Sequence, residues 1–117
     1  MPIFVVQKHA ATHLHYDFRL EMNRVLKSWA VPKEPPKIKG IKRLAIPVAD
    51  HPLSYAKFEG IISEGYGKGT VKIWDKGKYK MLEKAKNKLV FELGGKKLKG
   101  NYCLIKFKEK SWLLFKI

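Results

Sequence analysis

Leu14-His15-Tyr16-Asp17-Phe18-Arg19-Leu20-Glu21-Met22 divides into two complete faces when it is read as a strand, because successive side chains of an extended chain point to opposite sides of a sheet. Leu14, Tyr16, Phe18, Leu20 and Met22 make one face, wholly apolar. His15, Asp17, Arg19 and Glu21 make the other, wholly ionisable, with His13 on the same parity just ahead. A strand of this kind needs a core on one side only. Outward from it the same two-residue alternation recurs in short runs rich in Val, Ile, Phe, Tyr and Trp, bounded by Gly, Pro, Asn or Asp. The remaining strands are expected at Ile3 to Lys8, Val25 to Val31, Arg43 to Val48, Gly69 to Trp74, Lys78 to Leu82, Leu89 to Leu93, Lys99 to Phe107 and Trp112 to Ile117. Asn23-Arg24 reads as a tight hairpin turn, since Asn tolerates the left-handed backbone such turns require.

The expected class is therefore all-β and mainly antiparallel, with at most short helical turns. One such turn is expected within Met81 to Lys88. Pro32 to Gly40, with three prolines and three lysines, reads as an extended surface connection. Short strands of this number have edges to protect, and closing the sheet does so completely. A single compact β-barrel of about eight strands over residues 1–117 is the predicted architecture. The length suits one domain, and a 45% apolar content suffices for one core.

Charge is the strongest bulk signal. A formal +15 on 117 residues self-repels and points to an anionic partner. Only Arg19, Arg24 and Arg43 are arginines, so the lysine-rich balance suits a phosphate backbone better than bidentate reading of bases. No basic amphipathic helix, secretory leader or long apolar run is visible, so no membrane partner is predicted and a cytoplasmic location is expected. The lone Cys103 forms no internal disulfide and reads as a small buried side chain.

Three of the four histidines lie between His9 and His15, and His9 shares the ionisable face if the strand reaches back that far. Same-face neighbours along a strand are roughly 6.7 Å apart, close enough to converge on one ion. Imidazole and carboxylate together suit a borderline divalent metal such as Mn²⁺, Fe²⁺ or Zn²⁺; the plainer reading is a solvated polar face. Arg19 follows Asp17 by one step, placed either to hold a phosphate oxygen or to pair with Asp17 or Glu21. His51, before Pro52, is expected on a loop or edge. Gly65-Tyr66-Gly67-Lys68-Gly69 fits no phosphate-loop or dinucleotide spacing and reads as a turn. Trp29, Trp74 and Trp112 read as core.

These residues resemble a known family. Phe4-Val5-Val6-Gln7-Lys8-His9, Leu14 to Glu21, Leu26-Lys27-Ser28-Trp29-Ala30-Val31-Pro32-Lys33, Asp50-His51-Pro52-Leu53 with Tyr55, Phe58-Glu59-Gly60-Ile61-Ile62, Tyr66-Gly67-Lys68-Gly69-Thr70-Val71 and Trp112 to Lys116 are similar to the 3′-phosphoesterase domain of DNA ligase D and its free-standing relatives. The resemblance implies a β-barrel enzyme dependent on Mn²⁺, with Co²⁺ or Zn²⁺ as alternatives. It would remove 3′-phosphates and, stepwise, 3′-terminal ribonucleosides from DNA or RNA ends during strand-break repair. It implies metal binding by His9, His15 and Asp17, phosphate contacts and catalysis by Arg19 and a protonated His51, and supporting roles for Tyr55, Lys33 and Arg43. The implied partners are primer-template 3′ ends and a separate ATP-dependent DNA ligase and polymerase. In the bacterial domain an N-terminal arm precedes the Phe4 segment and supports ribonucleoside removal; this chain starts almost at Phe4, so phosphate removal is the firmer expectation. His13 stands where an arginine is usual, as an extra ligand or a substitute phosphate contact. Ala49 stands where an acid is usual, and the Gly65-Tyr66 junction lacks a glutamate. Two other readings compete. A non-haem iron oxygenase shares the two-histidine, one-carboxylate set, but no arginine follows His51. A non-catalytic nucleic-acid-binding barrel would use the lysines and aromatics and has no need of the histidine cluster.

Overall fold

A computed structural model describes residues 1–65 and 68–117, so the turn expected over Gly65 to Gly69 includes two residues, Tyr66 and Gly67, outside the described ones. The strands are β1 Ile3–Ala10, β2 Leu14–Met22, β3 Val25–Val31, β4 Lys42–Pro52, β5 Gly60–Ile62, β6 Gly69–Ala85, β7 Lys88–Gly94, β8 Lys99–Lys108 and β9 Ser111–Lys116, with a 3₁₀ helix at Leu53–Lys57 between β4 and β5. They pair in the order β1-β2-β3-β4-β9-β8-β7-β6, and β6 pairs back to β1, closing an eight-stranded antiparallel barrel. The short β5 adds to β6 on the outside of this ring.

The apolar face of β2 turns inward as its alternation requires. Tyr16, Phe18 and Leu20 join Phe4, Val6, Trp29, Phe91, Tyr102, Leu104 and Leu114 in the core, and the Phe18 and Phe91 rings stack 5.9 Å apart. A small closed barrel is filled by such inward side chains and keeps no channel. Leu14, assigned to the same face by parity, reaches the rim and is exposed. Asn23 and Arg24 both have positive φ, 52° and 66°, the geometry of a type I′ hairpin. The Pro32 to Gly40 segment is irregular and largely exposed, tied down where the Tyr102 hydroxyl donates to the Pro36 carbonyl at 2.7 Å. Cys103 is buried.

Two expectations are corrected. The runs Gly69 to Trp74 and Lys78 to Leu82 are one strand of 17 residues, which serves β1 with its first half and β7 with its second. The Asp75-Lys76-Gly77 stretch that reads as a break stays in the ladder, opposite Val6, Val5 and Phe4. Gly77 is required there, because a Cβ would collide with the Gly94 carbonyl. Met81 to Lys88 contains no helical turn: β6 runs to Ala85, and Lys86-Asn87 turn the chain into β7, with Ala85 opposite Lys88. Leu, Glu, Lys and Ala favour a helix weakly, and the ladder to β7 outweighs that preference. Leu82 points outward by parity with Lys80 and is exposed, and a register shift between Met81 and Glu83 reverses the alternation after it. Among the described residues no helix is long and apolar enough to cross a membrane.

Candidate functional site

The site lies on the outer wall of the barrel, across β1, β2, β3 and the end of β4. Antiparallel register sets Gln7 of β1 opposite Asp17 of β2, and His9 opposite His15. His9 is thus not an extension of the β2 face, as parity along one strand suggested; the chain turns at residues 11–13 and His9 comes from the neighbouring strand. Directly paired residues stand ~4.5–5.5 Å apart at Cβ, closer than neighbours along one strand, and the two imidazoles lie 4.7 Å apart by centroid. His9 Nδ1 is 3.5 Å from Asp17 Oδ2 and His15 Nε2 is 3.3 Å from Asp17 Oδ1. One donor atom from each of the three lies within 4.8 Å of the others.

This donor set fits a divalent cation. With metal bonds of ~2.0–2.2 Å, neighbouring ligand atoms stand roughly 3.0–3.5 Å apart, the spacing Asp17 already has to each histidine. Burial opposes the Asp17 carboxylate, but the His15 hydrogen bond and the Arg19 charge outweigh it and hold its carboxyl below the usual range. The same hydrogen bond, against some desolvation, raises the His15 imidazole. Three groups that could hold a metal are, without one, held together by charge.

Arg19 forms the floor beside them. Its side chain is 3% exposed, and burial lowers its pKa while Asp17 opposes that effect. Nε donates to Gln7 Oε1 at 2.6 Å, Nη1 donates to Ser28 Oγ at 2.8 Å, and Nη2 stands 3.4 Å from Asp17 Oδ2. Gln7 in turn donates from Nε2 to the carbonyls of Tyr55 and Phe58, at 2.8 and 3.2 Å. It ties the guanidinium to the 3₁₀ helix, which seats Ala56 on a small outer core with Val5 and Leu26. Tyr55 lies over Arg19, 5.0 Å from Cζ to ring centroid, and packs against His51 at 4.7 Å.

His51 reaches this wall through a β-bulge. Ser28 pairs with Val48 and Leu26 with His51, two steps along β3 against three along β4. The extra residue reverses the alternation and turns His51 outward toward Arg19. Arg19 Nη1 lies 3.1 Å from His51 Nδ1, and the Ala49 carbonyl lies 3.0 Å from the same nitrogen. Arg19 can donate only to a bare Nδ1, whereas Ala49 needs an N–H there, so the two contacts belong to different protonation states. Burial and then the Arg19 charge push the His51 imidazole down. The free protein therefore favours the neutral imidazole, whose tautomer decides whether Nδ1 accepts from Arg19 or donates to Ala49.

The structure brings His9, His15, Asp17, Arg19, His51 and Tyr55 together. It leaves the others apart. His13 is exposed in the β1–β2 connection, and only its carbonyl meets His15, at 3.2 Å. Lys33 is exposed beyond the end of β3. Arg43 donates from Nε to the Glu34 carbonyl at 2.8 Å, fastening the proline-rich connection. Gln7 and Ser28 were missed as site residues. Both are polar residues that are fully or nearly buried; on β1, Gln7 shares the parity of His9, and that was the signal available.

Over residues 7–106 the chain matches the DNA ligase D 3′-phosphoesterase domain family. It is 49% identical over 123 residues to the multifunctional non-homologous end joining protein LigD of Pseudomonas aeruginosa, an alignment covering 97% of this chain and 15% of that protein. To the LigD protein of Mycobacterium bovis it is 45% identical over 120 residues, covering 97% and 16%, and to that of Mycolicibacterium smegmatis 43% over 122 residues, covering 94% and 16%. The chain spans about one sixth of the length of these curated relatives. With the family match reaching across the barrel strands that carry His9, Asp17, Arg19 and His51, the chain belongs to the DNA ligase D 3′-phosphoesterase domain family.

Proposed function

We propose that this chain is a metal-dependent phosphoesterase that heals DNA or RNA 3′ ends, removing 3′-phosphates and 3′-terminal ribonucleosides to leave the hydroxyl that synthesis and ligation require. The observation that carries this reading is the meeting of His9, His15 and Asp17 donors, all within 4.8 Å, beside the Arg19 guanidinium on a protein of formal charge +15. His9, His15 and Asp17 are the proposed ligands of Mn²⁺, with Co²⁺ or Zn²⁺ as alternatives. A bound divalent ion supplies Lewis-acid stabilisation of the phosphoryl oxygens. Arg19 contributes a fixed positive charge, held in place by Gln7 and Ser28, so little reorganisation is needed when an anion arrives. His51, more exposed than Arg19, stands at the mouth. The charge of a bound phosphate opposes the Arg19 effect on its imidazole and favours the protonated form, which can then give a proton to the leaving oxygen. The relatives are multifunctional end joining proteins by name, which supports a role in the same repair process alongside a ligase and a polymerase.

The test is a 5′-labelled primer-template ending in a 3′-phosphate or one 3′ ribonucleotide, incubated with the protein or its Asp17→Ala variant, in EDTA or in Mn²⁺, Co²⁺ or Zn²⁺. Metal-dependent conversion to a 3′-hydroxyl end, lost in EDTA and in the variant, is expected. Absence of conversion with every metal overturns the reading in favour of a non-catalytic nucleic-acid-binding barrel.

A further inference from the structure

The barrel mouth next to His51 holds a cavity of about 630 Å³, within the range of small-ligand sites. Met22, Val25 and Trp112 supply an apolar wall, and Lys27, Lys84 and Lys86 stand around it. Asp50, the one acid among the described lining residues, is offset by Lys27 at 3.5 Å. Trp112 meets Trp29 edge to face at 5.9 Å and is only partly buried, so part of its ring borders the open space.

The cavity shares a residue with the site on the outer wall. Ser28 belongs to both, lining the cavity while its Oγ accepts from Arg19. Asp50 lines it too, in the bulged stretch of β4 that turns His51 outward. An apolar, partly aromatic wall within a ring of lysines matches a planar heterocycle carried on an anionic backbone. Bases stack on such walls whatever their identity, while cations follow the phosphates. A neutral apolar ligand would leave the lysines without a counter-charge, and a simple anion would leave the wall wet.

We propose that this cavity receives the 3′-terminal base of the strand whose phosphate lies at Arg19 and His51, an inference that rests on the proposed function above. The chain then recognises a strand end by holding its last base at the barrel mouth while the adjoining phosphate reaches around the rim to the outer wall. Because the contact is stacking, it carries no sequence preference, and it is worth about tenfold in affinity.

Fluorescence anisotropy in EDTA reads this without turnover. The ligands are 5′-fluorescein primer-templates with a 3′-phosphate whose terminal nucleotide is either normal or abasic. The abasic terminus is expected to bind the native protein about tenfold more weakly, while an abasic nucleotide one step inward has no such effect. In Trp112→Leu the two termini bind alike. The same result is expected for Ala85→Trp, which fills the cavity from an exposed lining position and serves if Trp112→Leu does not fold. Equal binding of normal and abasic termini by the native protein overturns the inference, as does a loss that follows the inner nucleotide. Metal-dependent phosphate release from the abasic substrate reports separately on the enzyme. The cavity assignment can thus fail with the phosphoesterase intact, and the reverse.

Discussion

Asp17 and Asp75 are the same residue at nearly the same depth, 7% and 5% exposed, yet their surroundings differ in kind. Asp75 is saturated by backbone: its oxygens accept from the amides of Lys96, Lys97 and Leu98 at 2.9, 3.1 and 2.8 Å. The carboxylate pins the β7–β8 turn across the barrel rim, and every donor on it is fixed by the fold. Asp17 faces side chains, two imidazoles and a guanidinium, at 3.3 to 3.5 Å. Those contacts are longer, and two of the three partners can lose their protons. A buried carboxylate sated by amides is architecture; one set among imidazoles and a guanidinium is a candidate for chemistry.

The largest effect that separates the two is catalytic. Asp17→Asn keeps the shape, and turnover on a 3′-phosphate end is expected to fall at least about a thousandfold, as loss of a metal contact does, with little change in melting temperature. If Asp17→Asn unfolds the protein instead, the contrast collapses. Asp75→Ala is expected to do the opposite. Three amides lose their acceptor, destabilising the fold by about 3 kcal/mol in a denaturant titration, with turnover per folded molecule unchanged. His51→Ala sharpens the comparison from beside the donor trio. Turnover is expected to drop about a hundredfold with Mn²⁺ affinity nearly intact, and an equal loss of metal affinity would make His51 part of the metal site.

The smallest effect is a titration. The Asp17 hydrogen bond raises His15, so proton-linked stability from His15 is fully present below its ordinary value near 6.5 and is lost as pH rises through the raised folded value. Asp17, held low, contributes stability that is present above its ordinary carboxylate range and is lost as pH falls through the depressed value. In metal-free protein, NMR should find His15 titrating above 6.5 and returning toward it in Asp17→Asn. Metal competes with that proton, so Mn²⁺ affinity should fall as pH drops through the raised value.

Much of this was legible in the sequence because strand parity is a local rule. The β2 alternation assigned both the core residues Tyr16, Phe18 and Leu20 and the polar residues Asp17 and Arg19 without knowledge of any partner strand. Asn23-Arg24 gave the hairpin for the same reason. What stayed hidden depends on pairing. His9 meets His15 because of the β1–β2 register, which a three-residue connection sets and alternation alone does not. His51 faces Arg19 because β4 has one residue more than β3 needs, and an extra residue looks like any other until its partner is known. The long β6 reads as two strands because Asp75-Lys76-Gly77 resembles a loop signal, and Gln7, a polar residue within a strand, has no address until Arg19 is found against it. The exposed Lys33 and the Arg43 that holds Glu34 show the reverse limit, since family position alone does not say what a side chain touches here.

Ring closure gives the His9, His15 and Asp17 donor trio a history in time. β1 is synthesised before β6, yet it has a second neighbour only once residues of β6 reach it; until then the sheet is an open ribbon with β1 at its free edge. His9 rides on that edge strand, whereas Asp17 and Arg19 sit between two neighbours as soon as β3 has paired. Barrels rich in distant pairings fold in milliseconds to seconds, and the docking of β1 onto β6 is the step that immobilises the His9 end of the donor trio. The proposed capture of a metal by His9, His15 and Asp17 would therefore be coupled to the β1–β6 seam, and an ion held there would rivet the β1–β2 hairpin, whose opening rate should slow when Mn²⁺ is added.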